Sequence, residues 1–81
     1  MKRIVWTDPA RTDVRSLSKT TAMHILSALH RFVESGVGDV KALQGRTELR
    51  LRIGDYRLFF VSTDPDTIEI RRVRHRGEAY R

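Results

Sequence analysis

The stretch LRLRIGDYRLFF, residues 49–60, decides how this chain folds. Apolar and charged residues alternate from Leu49 to Ile53, which is the pattern of a strand with one buried face and one solvated face. Gly54 and Asp55 follow as a two-residue hairpin turn, in which the glycine supplies the positive φ that such turns need. The sequence therefore predicts a β-hairpin with this turn at its tip.

This hairpin separates apolar from charged side chains. With the turn at this position, Leu51 lies opposite Leu58 and forms one apolar face with its neighbours. The other face collects Arg50, Arg52 and Arg57. Because like charges opposite each other destabilise a sheet by up to about 1 kcal/mol, we expect an external polyanion to bind this face. A solvated strand face that happens to be rich in arginine is the alternative.

Composition limits the chain to one small domain, residues 1–81, with an excess of positive charge. Sixteen Lys and Arg against ten Asp and Glu give a formal net charge of +6. A basic domain of this size most often binds nucleic acid and less often an anionic membrane surface or an acidic protein segment, and charge alone does not distinguish these partners. The absence of Cys excludes disulfides and thiolate metal sites and fits a reducing compartment. Since no stretch has the pattern of a membrane span or a signal peptide, we expect a cytoplasmic protein without a membrane partner.

Two helices are predicted before the hairpin. A short strand over residues 2–6 leads to Asp8 as the N-cap and Pro9 as the first helical residue of a helix that ends near Ser18. Ser18 or Thr20 caps a second, amphipathic helix that continues to about residue 34, where a Ser-Gly pair ends it. Residues 36–39 are predicted as a flexible connection, and residues 40–45 lead into the hairpin.

A last strand follows the hairpin. Its apolar positions, Ile68, Ile70 and Val73, do not alternate cleanly, which predicts either a β-bulge or a shifted register. Either irregularity leaves open which of four arginines share a face with the hairpin cluster: Arg71, Arg72, Arg74 and Arg76. The expected fold class is α+β, with an N-terminal strand, two helices and a three-stranded antiparallel meander that carries the helices on one face.

Residues at the chain's end add chemistry to the predicted basic face. Histidine, present at position 75, is the side chain whose charge changes near neutral pH, and Tyr80 has a ring that can stack on a base. With the arginines, they suit RNA cleavage by attack of a 2′-OH on its neighbouring phosphate. That reaction needs a proton acceptor, cations for the developing charge and a proton donor. We expect neither a metal nor another cofactor.

These motifs resemble the RelE/ParE superfamily of type II toxin–antitoxin toxins. The resemblance lies in the segments 43–45, 49–58 and 73–76 and in Tyr80, and it covers nearly the whole chain. It implies a RelE-like fold and a cognate antitoxin as partner. Members of the RelE branch are ribosome-dependent endoribonucleases that cut mRNA, whereas members of the ParE branch inhibit DNA gyrase.

The basic residues favour the RelE branch. Its basic strand pair, the arginine after the turn, the basic residue after the last strand and the C-terminal tyrosine fall on Arg50, Arg52, Arg57, Arg76 and Tyr80. Both strand positions hold arginine here, where the best-known RelE-type toxin has lysine and one lysine is proposed as the general base. Because arginine accepts a proton poorly, His75 becomes the candidate general base or acid.

The resemblance thus predicts a catalytic set and its partners. Arg52 and Arg57 would stabilise the phosphate and Arg76 would lie near the leaving oxygen, with His75 transferring a proton. Tyr80 would stack on a base or orient the 2′-OH. The phosphate-binding residues would be Arg50 and Arg74. The expected partners are mRNA on the ribosome, ribosomal RNA and the antitoxin, with no small-molecule substrate. The alternatives are gyrase inhibition without catalysis and a non-enzymatic RNA- or DNA-binding module.

Overall fold

A computed structural model of the chain describes residues 3–45 and 47–79. That part of the chain contains three helices and five strands. The strands form one sheet, and the two longer helices pack against one of its faces. The elements are β1 (Arg3–Trp6), α1 (Asp8–Arg15), α2 (Lys19–Ser35), β2 (Asp39–Ala42), β3 (Leu49–Ile53), β4 (Tyr56–Asp64), β5 (Thr67–His75) and α3 (Arg76–Ala79).

The strands are ordered β1-β5-β4-β3-β2 across the sheet. Neighbours from β2 to β5 pair antiparallel, and β1 closes the other edge by pairing parallel to β5. The predicted α+β class and the helix-covered meander are confirmed. The meander has one strand more than predicted, because residues 39–42, which were predicted as the end of a flexible connection and the approach to the hairpin, form β2.

The central hairpin has the predicted register. Ile53 pairs with Tyr56, Arg52 with Arg57 and Leu51 with Leu58 around the Gly54-Asp55 turn. Gly54 has a φ of 58°, the left-handed conformation that a side chain would strain. The prediction that the arginines at positions 50, 52 and 57 share one face is therefore confirmed.

The predicted bulge lies in β5 at Arg71. Phe59 pairs with Arg72, but the next residue, Phe60, pairs with Ile70, so Arg71 has no opposite partner in β4. The extra residue reverses the alternation of side chains along the strand. It therefore allows Ile70 and Val73, three positions apart, to point into the same core.

The core lies between the sheet and the two long helices. α2 contributes Ile25 and Leu29, which are almost fully buried, and α1 contributes Ala10. They pack against the apolar face of the strands, whose buried residues are Leu51, Ile53, Leu58, Phe60, Ile68, Ile70 and Val73. Phe32 of α2 meets Phe60 edge to face, with ring centroids 5.7 Å apart. The opposite face of the sheet is left uncovered by these helices.

The helix ends differ slightly from the prediction. Thr7, and not Asp8, is the N-cap of α1, since its side chain accepts a hydrogen bond from the Ala10 N–H. The Thr7 hydroxyl also donates to the carbonyl oxygen of Ile70 at 2.9 Å, which ties the start of α1 to β5. Ser18, one of the two predicted caps, is the N-cap of α2, and Gly36 ends this helix at a φ of 75°. Within the described residues, no helix is long and apolar enough to cross a membrane.

Candidate functional site

The uncovered face of the sheet carries most of the predicted site. Residues directly opposite one another on neighbouring strands share a face, so the strand register fixes its members. One row across β2 to β5 is Asp39, Arg52, Arg57 and Arg74, and the next row is Lys41, Arg50, Phe59 and Arg72. We call these eight residues the basic face.

Five residues of the basic face surround a small pocket. Its volume is about 80 Å³, and it is lined by Asp39, Lys41, Arg50, Arg52 and Arg57. Sites for whole small molecules usually measure about 300–1,000 Å³. The pocket therefore suits a single charged group, such as one phosphate of a longer chain that extends along the sheet.

Arg57 is the most tightly held cation of this face. Its side chain is buried, with 6% of the residue exposed. Nη1 donates hydrogen bonds to the carbonyl oxygens of Gly54 and Tyr56, at 3.1 and 3.0 Å. The hairpin turn thus fixes this guanidinium before any ligand binds, which lowers the entropy that binding would otherwise cost.

Arg72 is fixed by an acidic residue from α1. Its Nε and Nη2 donate to the two carboxylate oxygens of Asp13, at 2.8 and 3.1 Å, and the Val73 N–H donates to Oδ2 at 2.9 Å. Burial raises the pKa of Asp13, but the hydrogen bonds from Arg72 and Val73 and the nearby positive charges outweigh burial. The pKa of this carboxyl therefore lies below its ordinary value.

The residue predicted as the proton-transfer group lies on the other face. His75 pairs with Tyr56, whose ring packs against the core. The two rings meet edge to face with centroids 5.4 Å apart, and His75 Nδ1 accepts a hydrogen bond from the Gly77 N–H at 3.3 Å. The structure therefore does not bring His75 together with the row that contains Arg57.

The remaining predicted residues divide into three groups. The structure brings together Arg50, Arg52 and Arg57, and adds Arg74 directly opposite Arg57. Arg76 begins α3, where its backbone N–H donates to the Asp55 carbonyl oxygen at 2.7 Å. Its Nε lies 4.0 Å from Asp55 Oδ1, and both side chains are largely exposed, so this ion pair is weak. Tyr80 lies outside the described residues.

Two residues of the pocket were missed by the sequence analysis. Asp39 and Lys41 join the basic face only because residues 39–42 form a strand beside β3. The signal in the sequence was short: Val40, half-buried in the structure, lies between two charged residues. That pattern is the alternation of a strand with one buried and one solvated face, but three residues are too few to predict it.

Comparison with known families agrees with the fold and with the predicted superfamily. Residues 4–80 match the sequence model of the family described as ParE toxin of type II toxin–antitoxin systems, parDE. The chain belongs to this family and is a toxin of a type II toxin–antitoxin system. A search of curated protein sequences found no significant match.

Solved structures place the chain near RelE-type toxins within the RelE/ParE superfamily. It is similar to a chain of the RelE–RelB complex from Pyrococcus horikoshii OT3, with 25% identity over 94% of this chain and 96% of that one, and a TM-score of 0.75. It is also similar to a chain of the RelB–RelE complex from Methanococcus jannaschii, with 23% identity over 94% of each chain and a TM-score of 0.74. A YafQ variant from E. coli matches at 18% identity over the full length of both chains, with a TM-score of 0.74. The fold is RelE-like.

Proposed function

We propose that this toxin is a RelE-like, ribosome-dependent endoribonuclease that cleaves mRNA. The observation that carries the proposal is the row of Arg52, Arg57 and Arg74, aligned across three neighbouring strands on an uncovered sheet face. In the reaction, a 2′-oxygen attacks the adjacent phosphorus while the bond to the 5′-oxygen breaks. The products are a 2′,3′-cyclic phosphate and a free 5′-OH.

Arginine chemistry supports this proposal. A guanidinium presents its donors in a planar fork that matches two phosphate oxygens, and it stays charged at any physiological pH. Cations fixed before the reaction stabilise the negative charge that develops on the phosphate in the transition state. Arg57, locked by the hairpin turn, meets this requirement most directly.

The other roles are proposed with different support. Arg50 and Arg74 would bind the flanking phosphates, and half-buried Phe59 offers a ring on the same face for a nucleobase. Arg76 near the leaving oxygen and Tyr80 against a base stay predictions. Proton transfer by His75 also stays a prediction, and its pairing with Tyr56 on the opposite face does not support it.

Dependence on the ribosome follows from the predominance of arginine on the basic face. Arginines bind and orient a phosphate but transfer protons poorly, so alignment of the mRNA by a second structure would supply much of the rate. We propose mRNA on the ribosome and ribosomal RNA as partners, and hence a cytoplasmic location. The cognate antitoxin is proposed as an acidic segment that covers the basic face. The RelB partner in the two archaeal complexes supports an antitoxin as partner, and the positive charge of the basic face supports an acidic segment that binds there.

Cleavage of a labelled mRNA on programmed ribosomes tests the proposal. The toxin should cut the message and leave a 2′,3′-cyclic phosphate, and Arg52→Gln should lower the single-turnover rate by about 10²–10³-fold. Arg71→Gln removes the same charge from the bulge, where Arg71 pairs with Glu69, and should cleave close to the wild-type rate.

Intact message with the wild-type toxin would refute the ribonuclease proposal. Inhibition of DNA supercoiling by gyrase under matched conditions would then support the ParE-like alternative. Binding to RNA with neither cleavage nor gyrase inhibition would support a non-enzymatic nucleic-acid-binding module.

A further inference from the structure

We infer that β2 supplies the proton-transfer groups of this site, with Asp39 as general base and Lys41 as general acid. The assignment rests on the proposed ribonuclease function and adds the two groups that the arginines cannot provide. This pair lies on the edge strand of the sheet, whereas the residue predicted from the sequence to transfer a proton, His75, lies near the end of the chain.

The residues around the pocket allow few other assignments. Three of its five lining side chains are arginines, which stay protonated in proteins and accept no proton. The other two are one carboxylate, Asp39, and one ammonium group, Lys41. A carboxylate is a proton acceptor and an ammonium group is a proton donor, so the pocket holds one group of each kind that the reaction needs.

The strand places this pair on two sides of the same binding position. Asp39 lies opposite Arg52, and Lys41 lies opposite Arg50. Asp39 and Lys41 are two positions apart on the same face of β2, so their Cα atoms are separated by about 7 Å. Phosphoryl transfer puts the attacking and the leaving oxygen in line on opposite sides of phosphorus. A phosphate bound between the two arginines would therefore have the base towards one oxygen and the acid towards the other.

β2 is anchored firmly enough to position the pair. Val40, between them, is half-buried and pairs with the core residue Leu51. Gly38 approaches the core so closely that a Cβ there would lie 2.9 Å from side-chain atoms of both Leu51 and Phe32. Within the described residues, the Asp39 carboxylate takes part in no ion pair, so it is available to accept a proton.

The proposed step balances as follows. An Asp39 carboxylate oxygen takes the proton of the 2′-OH as the bond from the 2′-oxygen to phosphorus forms. The bond between phosphorus and the 5′-oxygen breaks, and the 5′-oxygen takes a proton from Lys41 Nζ. The enzyme is left with a protonated Asp39 and a neutral Lys41, and exchange with solvent restores both groups.

Asp39→Asn tests the base. In single-turnover cleavage on programmed ribosomes we expect a loss of about 10²–10⁴-fold, the usual contribution of a positioned general base. Affinity for the ribosome should be unchanged or higher, because the substitution removes a negative charge that faces RNA. Asp66→Asn makes the same charge change at an exposed turn and should keep the wild-type rate.

The pH dependence separates a catalytic from a binding role. The wild-type rate should fall as the pH is lowered, because the base must be deprotonated, whereas the residual rate of Asp39→Asn should be flat over that range. The charged groups that face Asp39 are Lys41 on its own strand, Arg52 and Arg50 on β3, and Arg57 on β4. The arginines keep their charge throughout, so the change reports on the carboxylate.

A modified substrate tests the acid. Sulfur in place of the 5′-bridging oxygen leaves as a thiolate without needing a proton. Lys41→Met should therefore cleave the normal message slowly and the sulfur-containing one at nearly the wild-type rate. Asp39→Asn should be slow on both. The two variants thus differ in their rate on the sulfur-containing message, a difference that a general loss of folding or binding would not produce.

The outcomes distinguish this inference from the function beneath it. No cleavage by the wild type would overturn the ribonuclease proposal itself. If the wild type cleaves and Asp39→Asn is equally active with the same pH profile, only the assignment of Asp39 is overturned. A rate loss in Asp39→Asn that is matched by an equal loss of affinity for the ribosome would also overturn that assignment. Thermal unfolding of each variant checks the fold, and Asp39→Ser replaces the asparagine variant if that one does not fold.

Discussion

Asp13 shows how one side chain can hold a functional surface in shape. Its side chain is only 15% exposed and accepts hydrogen bonds from both Arg72 and the backbone of Val73. It closes the edge of β5 beyond the end of β1 and fixes one cation of the basic face. Because its pKa is lowered in the folded chain, the ionised carboxylate stabilises the fold.

We expect Asp13→Asn to lower the free energy of unfolding by about 1–3 kcal/mol at pH 7, the usual cost of losing a charge-assisted hydrogen bond. A carboxyl with a lowered pKa contributes fully above its unfolded-state pKa of about 4 and loses that contribution as the pH falls through the folded value. The difference between wild type and variant should therefore shrink below about pH 4. Urea unfolding at pH 7 and pH 3 measures it.

Glu34→Gln, an exposed carboxylate remote from this clamp, is the matched control for that experiment. A stability difference for Asp13→Asn that is the same at both pH values would show that the carboxylate's charge has no part in the stabilisation.

Single residues also mark the limit of sequence reasoning. Alternation and the Gly-Asp turn were enough to predict that Arg52 faces Arg57, because the register of a tight hairpin is local. The partner of Arg74 depends on where β5 carries its extra residue, which the sequence indicated but did not locate. The pairing of Asp13 with Arg72 joins residues 59 positions apart and leaves no local pattern.

Among the elements, β2 was the hardest to predict and is the most informative for function. It has four residues, of which only Val40 is half-buried, so its sequence has almost no apolar periodicity. A longer strand at the sheet's centre, such as β4, buries residues on both faces and contains a continuous apolar run, residues 58–61. An edge strand this short forms because β3 offers it a partner, which is a tertiary effect.

Gly38→Ala tests how β2 is held. The new Cβ would lie 2.9 Å from atoms of Leu51 and Phe32, closer than real contacts allow, so the strand or the core must shift. We expect a loss of about 1–3 kcal/mol in the free energy of unfolding, measured by urea denaturation, together with slower RNA cleavage. Gly77→Ala is the comparison for stability, since its nearest atom would be His75 Nδ1 at an ordinary 3.7 Å.

A Gly38→Ala toxin that is as stable and as active as the wild type would mean that β2 can move without consequence. The placement of the proton-transfer pair by this strand would then lose its support.

For the whole molecule, the net charge of +6 is concentrated where the sheet is uncovered. Helices on one side build the core and leave the other side to the strands' solvated residues, so the core and the charged surface lie on opposite sides of one sheet. The α+β class and the basic surface could be predicted from composition and pattern. The parallel pairing of β1 with β5 could not, because it joins the two ends of the chain.

We expect this surface to make RNA binding strongly dependent on salt. For single-stranded RNA, each phosphate contact contributes about −0.7 to the slope of log affinity against log salt concentration. Arg52→Gln should make the slope shallower by about that amount, while Arg71→Gln, with the same change in net charge, should leave it unchanged. Fluorescence titrations of a labelled oligonucleotide from low to physiological salt measure both slopes. Equal changes in the two variants would indicate a response to overall charge and not to the basic face.

The extra residue at Arg71 also changes the odd–even parity of β5. Before it, even-numbered positions such as Ile68 and Ile70 point inwards, and after it the odd-numbered Val73 does. A relative that lacks the extra residue, or carries it one place earlier, would place a different set of side chains on the uncovered face although its sequence is almost identical. An alignment of site residues between such toxins should therefore be anchored at the bulge in β5 and not at the nearest arginine in the sequence.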